Sequence, residues 1–291
     1  MADGSVVLVE IERKTLSRVG VDGSISVIAH CGGGPNGAAI GPDGRVYVCN
    51  NGGFPWPEPT GDFLRPGEGL AADYQGGSIQ AVDLETGAVE TLYSTCKGEP
   101  LKGPNDIVFD ASGGFYFTDL GKRRGRVLDR GAVYYAQPDG SAIDELIYPI
   151  DTPNGIGLSA DEATLYVAET NAARVWAFAI EGPGKLGPPV HEFWPGRLLH
   201  KFGGYERLDS LAVDAEGNVV VATLGTGCLT AISSAGVVRA VVPVPEFDVM
   251  VTNVCFGGTD LRTAYITSSG LGRLYATQWH CPGLPLNFLP R

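Results

Sequence analysis

The sequence predicts an all-β fold, a six-bladed β-propeller of four-stranded blades that takes up residues 1–291 as one domain. Three observations predict it. The apolar residues come in short runs of about five to seven, divided by turn residues, in a chain rich in Gly (42) and Pro (20). No segment keeps a helical period over any length. Five stretches align with one another, and a period of about 40–50 residues built from short strands marks a propeller.

Taken in order, the aligned stretches are GPNGAAIGPDGRVYVCNN from 34, GPNDIVFDASGGFYFTDL from 103, TPNGIGLSADEATLYVAET from 152, RLDSLAVDAEGNVVVATL from 207 and VTNVCFGGTDLRTAYITS from 251. Each reads as a polar residue, an apolar strand, an acidic or Gly turn and a second strand. The leading polar residues are Asn36, Asn105, Asn154, Asp209 and Asn253. They are 69, 49, 55 and 44 residues apart by their numbers, with an insertion inside the longest interval. Two further strand-like runs follow each unit, as in GAVYYAQPDGSAIDELIY at 131–148. A sandwich also has many short strands, but it would not repeat one polar residue at one point of each unit. Residues 5–29 read as strands two to four of one more blade, which makes six.

Composition removes several function classes. The net charge of −12 argues against a nucleic-acid partner or an anionic membrane surface. No apolar run approaches the roughly 18 residues of a membrane span, and no signal peptide is visible. The six cysteines show no CxxC pair, which suits reduced, buried thiols and a cytoplasmic setting better than a disulfide frame. A small-molecule substrate is the expected partner.

In a propeller the first strand of each blade lines the channel, so the five polar residues are expected to form a ring at its mouth. A single Asn in Pro-Asn-Gly is ordinary turn chemistry. Convergent amide and carboxylate oxygens suit a hard divalent cation; calcium is the first choice, with zinc, manganese and iron as alternatives. Strand parity puts the loops between strands two and three, and those joining blades, on the same face. Residues 50–77, with Phe54, Trp56, Phe63 and Tyr74, are expected to form a lid that selects substrate. Segment 121–131 adds Lys122, Arg123, Arg124, Arg126 and Arg130, read either as a solvated loop or as an anion attractor. Segment 198–208 adds His200 and Tyr205, and 29–34 adds His30; both histidines are second candidates for a base. Substrate contacts are assigned to Asn36, Trp56, Arg124, His200 and Asn253.

The motifs GPND, PNGIGLSADEATLYVAET and LDSLAVDAEGN, in this order, resemble the senescence-marker-protein/gluconolactonase family of six-bladed propellers, which is related to diisopropyl fluorophosphatase. The resemblance covers almost the whole chain. It implies a divalent metal in the channel and hydrolysis of a lactone or phosphoester. Matched motif by motif, it implies Asn105, Asn154 and Asp209 as ligands, with Asp209 also the general base. The metal would act as a Lewis acid on the carbonyl.

Two departures stand out. The family's Glu-Gly-Pro motif, which opens the first strand of the first blade, is missing. Most polar residues lie 14 positions before the end of their second strand, as in Asn36 to Asn50 and Asn105 to Asp119; Asn154 to Glu169 spans 15. Glu10 aligns with Asp119 and Glu169, so the missing ligand would fall about four residues before Met1. The first blade is therefore expected to have three strands, with 284–289 as the outer strand of the last blade. Water is expected in place of the lost carboxylate, which would weaken metal affinity. The second departure is Gly103, where some sugar-lactone hydrolases of the family carry a substrate-binding Arg. Besides the lactonase, two classes stay open: a metal-independent enzyme of the strictosidine-synthase type or a cyclase, and a propeller that only binds a partner protein or ligand.

Overall fold

The computed structural model describes residues 1, 3–192 and 194–289. Among these there is no helix, and thus none long and apolar enough to cross a membrane. The chain groups into two compact units. The first holds Met1–Trp56, Pro66–Ile150 and Leu286–Arg291, the second Pro57–Arg65 and Asp151–Pro285.

The first unit contains three antiparallel sheets in succession. Sheet 1 is β1 (Val6–Glu10), β2 (Thr15–Val19) and β3 (Ile25–His30). Sheet 2 is β4 (Pro35–Ile40), β5 (Val46–Asn50), β6 (Ser78–Val82) and β7 (Val89–Tyr93), followed by a small ladder of β8 (Thr95–Cys96) and β9 (Glu99–Pro100). Sheet 3 begins with β10 (Pro104–Phe109) and β11 (Phe115–Asp119). A short hairpin of β12 (Arg123–Arg124) and β13 (Val127–Leu128) comes next, and β14 (Gly131–Ala136) and β15 (Ile143–Ile150) complete the sheet.

The second unit repeats the plan. Sheet 4 is β16 (Pro153–Leu158), β17 (Thr164–Glu169) and β18 (Arg174–Gly182), extended by β19 (Lys185–Leu186) and closed by β20 (Arg197–Lys201). Sheet 5 is β21 (Arg207–Val213), β22 (Val219–Leu224), β23 (Cys228–Ile232) and β24 (Val238–Pro243). Sheet 6 is β25 (Val251–Gly257), β26 (Thr263–Ser268) and β27 (Arg273–Gln278).

The six sheets answer to the six expected blades, and sheet 1 has the expected three strands. The second strands β5 (VYVCN) and β11 (FYFTD) are buried throughout and read as continuous runs rather than alternating ones. The last strands are more exposed, as in β24 and β27. In the first unit the core between sheets 2 and 3 is aromatic: Tyr47 meets Phe109 edge-on at 5.0 Å, and Phe117 stacks on Tyr134 at 5.0 Å. In the second unit aliphatic side chains fill the gap between sheets 4 and 5, among them Leu208, Val219 and Val221.

The last blade differs from expectation. Residues 284–289 form no outer strand on sheet 6, which has three strands among the described residues. Leu286 onward belongs to the first unit, where Asn287 Nδ2 donates to Phe109 O at 3.1 Å and the Phe288 ring packs edge-on against Phe109. The aromatic cluster there buries more of Phe288 than a solvent-facing edge strand would.

Candidate metal and active site

The polar residue of each unit stands at an irregularity of its first strand. The ladder register shifts between Pro35 and Gly37, Pro104 and Ile107, Pro153 and Ile156, Leu208 and Leu211, and Val251 and Asn253. A bulge bends the strand and re-aims a side chain. Asn36, Asn105, Asn154, Asp209 and Asn253 all fall within or at the edge of one. Pro35, Pro104 and Pro153 each open their strand, where a missing N–H disturbs the ladder least. The Gly of Pro-Asn-Gly serves close approach. A Cβ on Gly155 would lie 2.6 Å from Leu211 N and 2.7 Å from Asp209 O, so only glycine lets the backbone of β21 come so near to β16.

In the first unit β4 packs beside β10, which carry Asn36 and Asn105. In the second, β16, β21 and β25 are successive neighbours and carry Asn154, Asp209 and Asn253. Asn105 and Asn154 are buried; Asn36, Asp209 and Asn253 are half-buried. Asn154 Nδ2 donates to Thr170 Oγ1 at 3.1 Å, Asp209 Oδ1 accepts from Ser210 N at 3.0 Å, and Asn253 Oδ1 accepts from Val254 N at 2.7 Å. Asn105 Oδ1 is buried and accepts no hydrogen bond among the described residues. A buried amide oxygen left so costs about 1–3 kcal/mol unless something meets it, and a hard cation would. Asp106, also buried, places a carboxylate beside Asn105 that sequence reasoning did not single out. Its place in the Pro-Asn-Asp motif was the available signal.

The ends of the second strands do different work. The Asp119 carboxylate accepts from the backbone N–H groups of Lys102 and Gly103, both at 2.7 Å, and of Gly121 at 2.9 Å. Burial pushes this carboxyl up, against the pull of those three donors and of Lys122. Asn50 Oδ1 accepts in the same way from Gly34 N at 2.7 Å and Gly52 N at 3.0 Å. Glu169 takes Asp151 N, Arg174 Nε and Trp176 Nε1. These groups staple the chain entering each blade. Glu10 accepts instead from Ser17 Oγ at 2.5 Å, Thr15 Oγ1 at 3.1 Å and Arg13, all local partners. Gly103, the second family departure, has a built-in reason. A side chain there would meet Gly121 O at 2.8 Å, so an Arg could not enter without moving the loop.

Several of the expected substrate contacts have partners of their own. Arg124 ion-pairs with Asp129 of its own short hairpin, and Arg123 reaches Glu68 at 3.4 Å; this favours the solvated-loop reading. His200 lies on β20, the closing strand of sheet 4, three strand spacings from β16 and hence about 14 Å across the sheet. Its Nδ1 is 2.9 Å from Gly236 O, a structural contact, so it is not brought to Asn154. His30 ends β3 and is exposed. Trp56 is half-buried in a segment, 51–77, without regular strands.

Lys122 was read with the charge run, yet it is buried, at 2% exposure. Its Nζ donates to Gly53 O at 2.8 Å and Asn51 Oδ1 at 3.2 Å, and stands 3.9 Å from the centre of the Phe54 ring and 5.6 Å from that of Tyr74. The root of the 50–77 segment thus closes over an ammonium group. Burial pushes that group down to about 7 from its ordinary 10.5, against the attraction of Asp119. A folded-state value below the unfolded one means that folding favours the neutral amine. Its stabilisation is complete above pH 10.5 and fades as pH falls toward 7. Against Lys122→Met, the wild-type chain should therefore gain stability between pH 7 and 10, by up to about 1.4 kcal/mol per pH unit. Urea unfolding of both proteins across that range measures it; a constant gap would show that the amine stays charged throughout.

The pattern of the SMP-30/Gluconolactonase/LRE-like region matches residues 1–270. Lactonase drp35 of Staphylococcus aureus strain MRSA252 is 32% identical over 214 residues, which are 74% of this chain and 58% of that protein. The drp35 of strain bovine RF122 / ET3-1 is 36% identical over 194 residues, 66% of this chain and 51% of that protein. The matches therefore span about half the length of these curated relatives. Among solved structures, a gluconolactonase from Xanthomonas campestris aligns with a TM-score of 0.72 at 24% identity, covering 94% of this chain and 82% of that one. A calcium-binding protein, regucalcin, from Agrobacterium tumefaciens aligns with a TM-score of 0.74 at 18% identity, covering 99% and 91%. These likenesses show the six-bladed β-propeller fold. With its repeated bulged strands and the family pattern running through all six sheets, the chain belongs to the SMP-30/gluconolactonase/LRE-like family.

Proposed function

We propose that the protein is a divalent-metal-dependent lactonase, with Asn105, Asn154 and Asp209 as protein ligands and Asp209 as general base. The buried Asn105 Oδ1, which accepts no hydrogen bond among the described residues, is the observation that carries the reading. The names of the drp35 and gluconolactonase relatives support a lactone substrate, and the calcium-binding regucalcin supports calcium as the first choice. The bound cation supplies Lewis acidity toward the lactone carbonyl. Two neutral amide ligands preserve more of its positive charge than carboxylates would. Asp209 takes a proton from the attacking water at its carboxylate. Asn36 and Asn253, at the same bulge in their strands, face the same task of orienting the substrate. The 50–77 segment, rooted on Lys122, restricts which lactones enter.

One observation favours a second reading. Glu10, the only carboxylate offered by β1, is fully engaged by Ser17, Thr15 and Arg13, which leaves the ligand set short of a second charge. A metal-independent enzyme on the same fold is the alternative. Metal analysis of purified protein and a panel of lactones, assayed before and after chelation, separate the two. Activity should fall at least 100-fold on chelation and return with one divalent ion. Hydrolysis indifferent to chelation would remove the metal from the mechanism, and a fully metallated protein inert on every lactone would remove the lactonase.

A further inference from the structure

The turn between β21 and β22 brings together donors that no channel chemistry uses. Asp214 ends β21 and accepts from Glu216 N at 3.1 Å and Asn218 N at 2.9 Å. Residues 279–284 are sewn onto this turn: Ala215 N donates to Pro282 O at 2.8 Å, and Leu284 N donates to Val213 O at 2.9 Å. The pairing carries His280 and Cys281 to the Asp214 carboxylate. His280 Nε2 lies 3.6 Å from Cys281 Sγ, 3.9 Å from Asp214 Oδ2 and 3.6 Å from Glu216 Oε2. The Asp214, His280 and Cys281 donor atoms all fall within 4.8 Å of one another.

We propose that Asp214, Glu216, His280 and Cys281 form a binding site for a zinc-class divalent ion, independent of the metal proposed above. Zinc bonds of about 2.0–2.3 Å in a tetrahedron set ligand atoms about 3.3–3.6 Å apart. The His280 separations of 3.6–3.9 Å need to close by a few tenths of an ångström, and the imidazole, 48% exposed, has room to turn toward the other donors. Imidazole and thiolate select zinc or cobalt over calcium. The Asp214 carboxylate is already oriented from behind, by Asn218 Nδ2 at 2.9 Å and by Trp279 Nε1 at 3.3 Å, as ligating carboxylates are. Turn formation alone does not explain the cluster. Asp110, at the same point of sheet 3, caps its turn through Ser112 N and Gly114 N and takes the Tyr135 hydroxyl, and among the described residues no His or Cys joins it in a donor cluster. Binding replaces the thiol proton, which leaves to solvent, with a metal–sulfur bond. The ion would pin the 279–284 segment to sheet 5.

Cobalt(II) titration of the full chain tests this. The wild-type protein should bind one equivalent with a thiolate-to-cobalt charge-transfer band in the near ultraviolet, which an all-oxygen site cannot produce. Cys281→Ser should lose the band, and His280→Gln, a half-exposed position with little risk to folding, should weaken the binding at least tenfold. Zinc should raise the melting temperature of wild type but not of His280→Gln. Asp209→Asn should keep both band and affinity, which separates this site from the channel reading. Absence of the band in folded wild-type protein, or a band of unchanged affinity in His280→Gln, would overturn the proposal.

Discussion

Asp209→Ala should lower kcat/KM on the preferred lactone by at least ~1000-fold, about 4 kcal/mol of transition-state stabilisation. The substitution removes the charged ligand and the base together, and each alone is worth about two orders of magnitude. Asp209→Asn separates them. An amide oxygen still coordinates but cannot accept the proton, so kcat should collapse while metal binding weakens less. Asn105→Ala should act the other way, through ion affinity, with a fall of about 10- to 100-fold that added metal partly restores. Folding should survive all three changes, because Asp209 and Asn105 stand at bulges outside the regular ladder pairing. Steady-state kinetics at several metal concentrations measure the split. If Asp209→Ala stays within tenfold of wild type, the base lies elsewhere.

Asp119→Ala should be among the most destabilising substitutions in the chain, without touching the chemistry directly. Three backbone N–H groups, those of Lys102, Gly103 and Gly121, converge on this one carboxylate. Alanine leaves them without an acceptor in a buried loop, at about 1–3 kcal/mol each. A loss of ~3–9 kcal/mol is a large part of the net stability of a typical fold. Asn50 supplies the control, for it performs the same task in sheet 2 with one amide oxygen serving Gly34 N and Gly52 N. Asp119→Asn should thus recover most of the loss and forfeit only the bond from Lys102 N, at about 1–2 kcal/mol. Denaturant unfolding of the pair is the measurement. A difference between Ala and wild type below 1 kcal/mol would mean that the entering loop is held by something else.

The repeat was legible because it depends on local signals: a polar residue, a strand, a turn and a second strand at fixed offsets. Those signals located β4, β10, β16, β21 and β25 and the polar residue of each. The bulges were not legible, since a register shift depends on which residue pairs across the ladder. Lys122 was misplaced for a related reason. It sits in a run of basic residues, and only the fold reveals that Asn51, Gly53 and the Phe54 ring enclose it while its neighbours Arg123 and Arg124 stay outside. His200 looked like a loop residue because LLHKFGG ends in glycines, yet pairing with β18 draws residues 197–201 into the sheet. The fate of Leu286–Phe288 turned on an aromatic cluster far away in sequence, at Phe109, which no local pattern announces.

The bulge at each polar residue separates what the blade needs in order to fold from what the site needs in order to react. A side chain turned out of the ladder contributes little to the packing between sheets, so its identity can change while the strand stays in register. Five such sockets recur along the chain, occupied here by four amides and one carboxylate. On the proposed reading, single substitutions could retune the same scaffold: a carboxylate at Asn105 or Asn154 would harden the ligand set toward small dications, and an imidazole would soften it. Such a propeller can diversify in reaction without first having to relearn how to fold.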